Sequence, residues 1–188
     1  MVGEIAGLSA AACWALGSLF FSRIGRTTSP EAMNLGKSLG AGLLLVTTAV
    51  LVGGGGFTLG PALLWLVLSA IAGITIGDTA YFDALVRLGM GPALLLLSSA
   101  PAFTALGGWA LLGEPLTGRD LAGIAAVSVG IALVVWRPPP SGAPPERRAS
   151  GVALGILAAI GQASGSLLSK QAMVPGISPF PAGGGWLL

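Results

Sequence analysis

Six stretches of this chain are long and apolar enough to cross a lipid bilayer, which removes most folds from consideration. A helical span needs about 20 mostly apolar residues to cross roughly 30 Å of hydrocarbon. Such runs occupy residues 3–22, 31–53, 61–84, 91–112, 119–136 and 151–171. They are continuous and do not alternate with period two, which predicts helices rather than barrel strands. Only 9% of the 188 residues are charged, against about 25% in a soluble domain. Too few charges remain to cover a water-facing surface, so apolar side chains must face lipid. The expected fold class is an all-α, polytopic transmembrane helical bundle, an integral membrane protein with the lipid bilayer as its first partner.

The breaks between runs carry turn chemistry. Gly25 to Pro30 is short and polar, Gly53 to Gly56 is a flexible glycine tract, and Gly113-Glu114-Pro115 stops a helix because proline cannot continue one. The longest connection, "RPPPSGAPPERRAS" over residues 137–150, reads as a solvated proline-rich linker. The first run lacks a basic n-region and has Glu4 in its place, so it reads as a span rather than a signal peptide. "SAAAC", ending at Cys13, is a faint lipoprotein-like match followed by further spans. Glycines four apart, Gly3 and Gly7, Gly36 and Gly40, Gly73 and Gly77, predict close helix packing. Recruitment of a second chain by the same faces is the alternative.

Residues 7–23 align with 155–171. Gly7, Ala10, Ala11, Ala15, Gly17, Ser18 and Leu19 then fall on Gly155, Ala158, Ala159, Ala163, Gly165, Ser166 and Leu167. Ser29-Pro30 meets Ser178-Pro179 one gap later. Internal repeats of this kind are common in transporters. The unit is five spans, an odd number, so a second copy enters the membrane from the opposite side. The expected organisation is one five-helix repeat over 3–136, a linker over 137–150, and over 151–188 the first helix of an inverted second repeat. The chain ends where a seventh span would begin, so a fragment is expected.

The stretch "GDTAYFDALVRLGMGPALLLLSSAPAFTALGGWALLGEPLTGRDLAGIAAVSVGIALVV" resembles the second half of an EamA-type domain of the drug/metabolite transporter superfamily. The likeness rests on the aromatic and Ala-Leu segment closing span three and on Pro101 within span four. Leu112-Gly113-Glu114, Leu116-Thr117 and Gly123 complete it. The resemblance implies ten spans in two inverted five-span repeats around a central cavity. It implies a transporter, of secondary type, that moves a small metabolite or drug-like solute by alternating access. The expected location is the bacterial inner membrane, and the expected partners are a small-molecule solute and either a second copy or a missing second half.

Against that background, Lys37 is the residue that objects to oil. It lies about six residues into span two, roughly 9 Å deep at 1.5 Å per residue. Asp78 lies six residues before the end of span three on the same side of the membrane, so both charges fall at one depth. Charges at depth usually face a cavity or each other, which predicts that Lys37 and Asp78 pair. Asn34 and Tyr81 are placed one turn toward the surface on the same faces, and Thr75 one turn deeper than Asp78. Trp14 and Gln162 occupy equivalent positions in the repeated spans and are expected to line the cavity from opposite sides. Together these seven residues form the expected substrate pathway, while the bland alternative is a buried ion pair that fixes helix order. Asp83 points away from Asp78 and pairs with Arg87 at i+4.

Pro101 crowds the carbonyl of Leu97 and should bend span four, with Ser98 and Ser99 satisfying freed carbonyls. A hinge and a static kink are both open. Glu114 is expected to help cap the turn into span five, with Arg119 as its partner.

Other function classes fit less well. "TIGDTAYFD" approaches the Gly-x-Gly-Asp of intramembrane aspartyl proteases but lacks the first glycine. Such enzymes also need two facing aspartates, and Asp78 and Asp83 share one helix and diverge. No enzyme activity is expected; a non-transporting membrane protein or an inactive fragment is the alternative to a transporter. The chain has no histidine, and no metal site, cofactor or nucleic-acid partner is expected. For orientation, Arg23, Arg26, Arg87, Arg137, Arg147 and Arg148 lie on one side against Arg119 and Lys170 on the other. The positive-inside rule then places the amino terminus outside, whereas the family resemblance implies the reverse.

Overall fold

The computed structural model of the chain describes residues 2–51, 62–136 and 145–173, and the elements among them are helices. We number them as six: α1 (Val2–Ile24), α2 (Pro30–Leu51), α3 (Ala62–Leu88), α4 (Met90–Leu112), α5 (Gly118–Trp136) and α6 (Pro145–Ala172). Among the described residues, five stretches are long and apolar enough to span a membrane. α5 has 19 residues, with Asp120 in its first turn; at 1.5 Å per residue it is about 28 Å long, comparable with the hydrocarbon thickness. The helices match the expected apolar runs closely. The linker boundary is the correction: the helix expected from residue 151 already begins at Pro145. Proline suits the first helical turn and Glu146 favours the positive end of the helix dipole. The rest of the expected linker, 137–144, lies outside the described residues, as do the glycine tract at 53–56 and Ser178-Pro179.

Turns are made where the backbone permits them. Gly89 adopts φ +83° and alone separates α3 from α4, and Gly113 ends α4 in the left-handed conformation at φ +68°, both open to glycine without strain. The start of α5 is capped reciprocally by Thr117 and Asp120: the Thr117 amide donates to Asp120 Oδ2 at 2.8 Å, and the Asp120 amide to Thr117 Oγ1 at 3.3 Å. Glu114 takes no part in that cap.

Two helices are not regular throughout. In α3, Ala70–Asp78 is π-helical, with α-helix before and after it. Neighbouring side chains reach carbonyls within this widened segment: Asn34 Nδ2 donates to Ile74 O at 2.7 Å and Gln162 Nε2 to Gly73 O at 3.2 Å. In α4, the helix breaks at Ser98 and Ser99, one turn before Pro101. Their hydroxyls donate to the carbonyls of Leu95 and Leu96, each at 2.6 Å, as expected for a proline-bent span.

The bundle is built around α6, which packs along α3 and against both halves of α4. Glycine permits this. A Cβ on Gly161 would lie 2.8 Å from Ala72 O and from Gly77 Cα, and one on Gly165 would lie 2.9 Å from Gly73 Cα. Gly73 and Gly77 therefore serve close packing, as expected. At Gly3, Gly7, Gly36 and Gly40 no described residue lies within 4 Å of a Cβ. Spacing alone does not make a packing face; an opposing helix must arrive there.

Tyr81, Phe82, Ala84 and Leu85 from the end of α3 form the centre of the core, with Met33, Ala93 and Ala158 around them. The outer faces of α1 and α2 are apolar and uncovered. Leu43, Leu44 and Leu45 are each at least 70% exposed, an arrangement that lipid tolerates and water does not.

The loops sort to two ends. Gly25 sits against Val86, and Arg87 donates to Ser150 Oγ at 3.0 Å, joining the 25–29, 89 and 145–150 segments at one end. Glu114 and Lys170 meet at the other.

Candidate functional site

Asp78 closes the π-helical segment of α3 and is 3% exposed. Lys37, arriving from α2, pairs with its Oδ2, and Gln162 Nε2 donates to its Oδ1 at 2.6 Å. The expected partnership of Lys37 with Asp78 is therefore present, joined by Gln162. The lysine ammonium also lies 5.7 Å from the Trp14 ring centroid and 5.9 Å from that of Phe82, within reach of favourable cation–π attraction. Burial of two opposite charges is tolerated here because each has further polar or aromatic partners.

Asp78, but not Lys37, lines a cavity of about 760 Å³. Trp14 of α1, Asp78 of α3, Pro101 and Thr104 of α4, and Gln162 and Ser166 of α6 contribute to its wall, with Ile74 and Leu97 supplying apolar surface. Trp14 and Gln162, equivalent in the repeated segments, both line it. The next residues in register, Ser18 and Ser166, repeat one local bond: each hydroxyl donates to the carbonyl four residues back, at 2.8 Å for Trp14 O and 2.9 Å for Gln162 O.

The remaining sequence-predicted residues are placed differently. Asn34 is buried, but its amide is spent on Ile74 O and, at 2.9 Å, on Thr79 Oγ1. Tyr81 is fully buried, with its hydroxyl 2.9 Å from Ser18 Oγ. Because the Ser18 proton goes to Trp14 O, the tyrosine hydroxyl is the donor in that bond. Neither residue is among those lining the cavity. Thr75 is exposed and lies off the cavity. The reason is the π-helix: a ladder of i→i+5 bonds stacks Gly73 and Ile74, not Thr75, behind Asp78. Asp83 and Arg87 form the expected i,i+4 pair, bidentate at 2.8 and 2.9 Å.

Glu114 is the site residue that sequence reasoning placed elsewhere. It lines the cavity and pairs with Lys170 of α6, not Arg119. Its amide donates to Gly108 O at 3.2 Å, and a Cβ on Gly108 would lie 2.8 Å from its Oε2. The carboxylate thus lies folded over a glycine. No local pattern foretells a contact between residues 114 and 170, which lie 56 positions apart.

The EamA-like transporter family model matches residues 1–136. The chain is similar, at 31% identity over 148 residues, to the threonine/homoserine exporter RhtA of Salmonella typhimurium strains SL1344 and LT2. Each match covers 74% of this chain and 48% of the relative, so the chain spans about half the length of the curated relatives it matches. No solved structure gives a significant match.

Proposed function

The chain belongs to the EamA-like transporter family, and from that premise we propose that it carries a small polar solute across the membrane through the cavity between α1, α3, α4 and α6. The observation that carries this reading is the cavity itself. Its polar groups, Asp78, Gln162, Thr104 and Ser166, sit within segments otherwise fit only for lipid or packing. Polar groups are costly there and usually mark a solute path. About 760 Å³ suits a small molecule, for which pockets run about 300–1,000 Å³. The relatives' name as threonine/homoserine exporters favours solutes of amino-acid size, and their bacterial source favours the bacterial inner membrane. Family and relatives alike point to transport rather than catalysis.

Alternating access is the mechanism we propose. The break at Ser98 and Ser99 lets the two halves of α4 tilt relative to each other, with Pro101 keeping the break open by withholding one backbone bond. Lys37, Asp78 and Gln162 hold α2, α3 and α6 together during that motion. Reconstitution of the protein into liposomes tests the reading: labelled threonine or homoserine should enter faster than into protein-free liposomes. Equal rates for both solutes would overturn it.

A further inference from the structure

Two carboxylates face the cavity, and their bonding differs. Both oxygens of Asp78 are engaged, Oδ2 by Lys37 and Oδ1 by Gln162, and the residue is buried. Glu114 accepts from Lys170 through Oε1; its Oε2 has no hydrogen-bond partner among the described residues. The Glu114 and Lys170 side chains are 46% and 57% exposed. Ion pairs this exposed contribute little to stability, so their partners exchange readily. Neither Lys37 nor Lys170 is among the cavity-lining residues. The described wall therefore presents carboxylates, amide and hydroxyl groups and the Trp14 face, with no cationic side chain.

The two carboxylates are also separated along the path. Gln162 holds Asp78 and Lys170 holds Glu114. Those two α6 residues are eight apart, about 12 Å along the helix, with cavity-lining Ser166 midway on the same stripe. Glu114 thus stands at the end of the cavity nearest the 113–117 connection, where a solute would arrive or leave.

We propose that Glu114 is an ammonium-binding subsite of this cavity, with Lys170 as the resident counter-ion that an incoming amine displaces. The class of solute is a small molecule bearing a primary ammonium, either a cation or a zwitterion, and not a simple anion. The proposal rests on the reading of the cavity as the solute path. A carboxylate with one unengaged oxygen accepts a charge-assisted bond from an ammonium, and the bare Gly108 leaves room for that oxygen at the cavity wall. Displacement leaves Lys170 free to move into water from a position already half exposed.

The test measures binding to the purified protein in detergent by calorimetry, with three probes of one size. These are threonine, its cationic analogue threoninol, and its anionic analogue 2,3-dihydroxybutanoate. Threonine and threoninol should bind and dihydroxybutanoate should not. Glu114→Gln should weaken threoninol binding about tenfold or more, the scale of one lost charge-assisted bond. Gly108→Ala, which keeps the charge but pushes on Oε2, should weaken it too. Lys170→Met should tighten it, because the competing cation is gone. A merely structural ion pair predicts the contrary, with Lys170→Met weakening binding as much as Glu114→Gln; that result, or equal binding of the anionic probe, overturns the proposal. Failure of threoninol to bind the unaltered protein overturns it as well. Liposome flux separates the two readings. Glu114-dependent binding without flux of any probe retires the transport reading and keeps the subsite. Threonine flux indifferent to Glu114→Gln keeps transport and retires the subsite.

Discussion

Gln162 donates to Asp78 Oδ1 at 2.6 Å across 84 residues of sequence, and the same amide nitrogen lies 3.2 Å from Gly73 O. One side chain thus satisfies both a buried carboxylate and a carbonyl of the π-helical segment. Gln162→Leu, close in size but without the donor, leaves both acceptors short of a partner. We expect a loss of about 1–3 kcal/mol, read as a lowered midpoint of thermal unfolding in detergent. Glutamate at the same position should be worse, since it places a second carboxylate against Asp78. An unchanged midpoint for both variants would show that the contact is not formed.

Lys37 and Asp78 should behave as a coupled pair. Removing one partner of a buried pair typically costs about 3–5 kcal/mol, because the other charge stays behind unpaired. Lys37→Met should therefore destabilise the protein more than Lys37→Met combined with Asp78→Asn. The check is a double-mutant cycle on unfolding, and additive effects would refute the coupling.

The glycines of the α3–α6 crossing should tolerate no side chain, while those on the outer helices should. Gly161→Val puts methyl groups where a Cβ already stands 2.8 Å from backbone atoms of Ala72 and Gly77. Neither of those can yield without moving the helix, so folded yield should drop steeply. Gly36→Val and Gly40→Val meet open space and should fold normally as this chain stands. Equal yields for all three variants would contradict the crossing.

Orientation can be read with an impermeant maleimide on intact cells. The background is Cys13→Ser, because Cys13 is exposed on α1. The arginine-rich end includes residues 25–29, so a cysteine at Thr27 should stay protected, and one at Gly118, at the other end, should react. The reverse labelling pattern would place the amino terminus inside, as the family resemblance implies.

Pro101 is tested by restoring what it lacks. Pro101→Ala returns an amide that can bond the carbonyl of Leu97 and draw the two halves of α4 together. If the break serves as a hinge, solute flux should fall by about tenfold or more while thermal stability is kept or raised, the usual exchange between rigidity and function. Flux unchanged by the substitution would make the bend a static one.

The amino-acid sequence by itself determined where this chain crosses the membrane. The driving quantity is local: transfer free energy summed over some 20 consecutive side chains, interrupted where Gly89, Gly113 or Pro30 sets the turn. It also determined the contacts that helix geometry encodes at short range, such as Asp83 with Arg87. The meeting of Lys37 and Asp78 was legible because depth in a bilayer is a coordinate that sequence supplies, and a buried charge has few places to go. Only the tertiary structure decided the angular coordinate. Thr75 left the cavity because α3 widens into a π-helix there, and Gly36 found no neighbour because no described helix crosses α2 at that face. Glu114 met Lys170 rather than Arg119 because α6 passes the end of α4. Rotation about each helix axis is set by which neighbour packs closest, and that depends on glycines more than eighty residues apart meeting at one crossing.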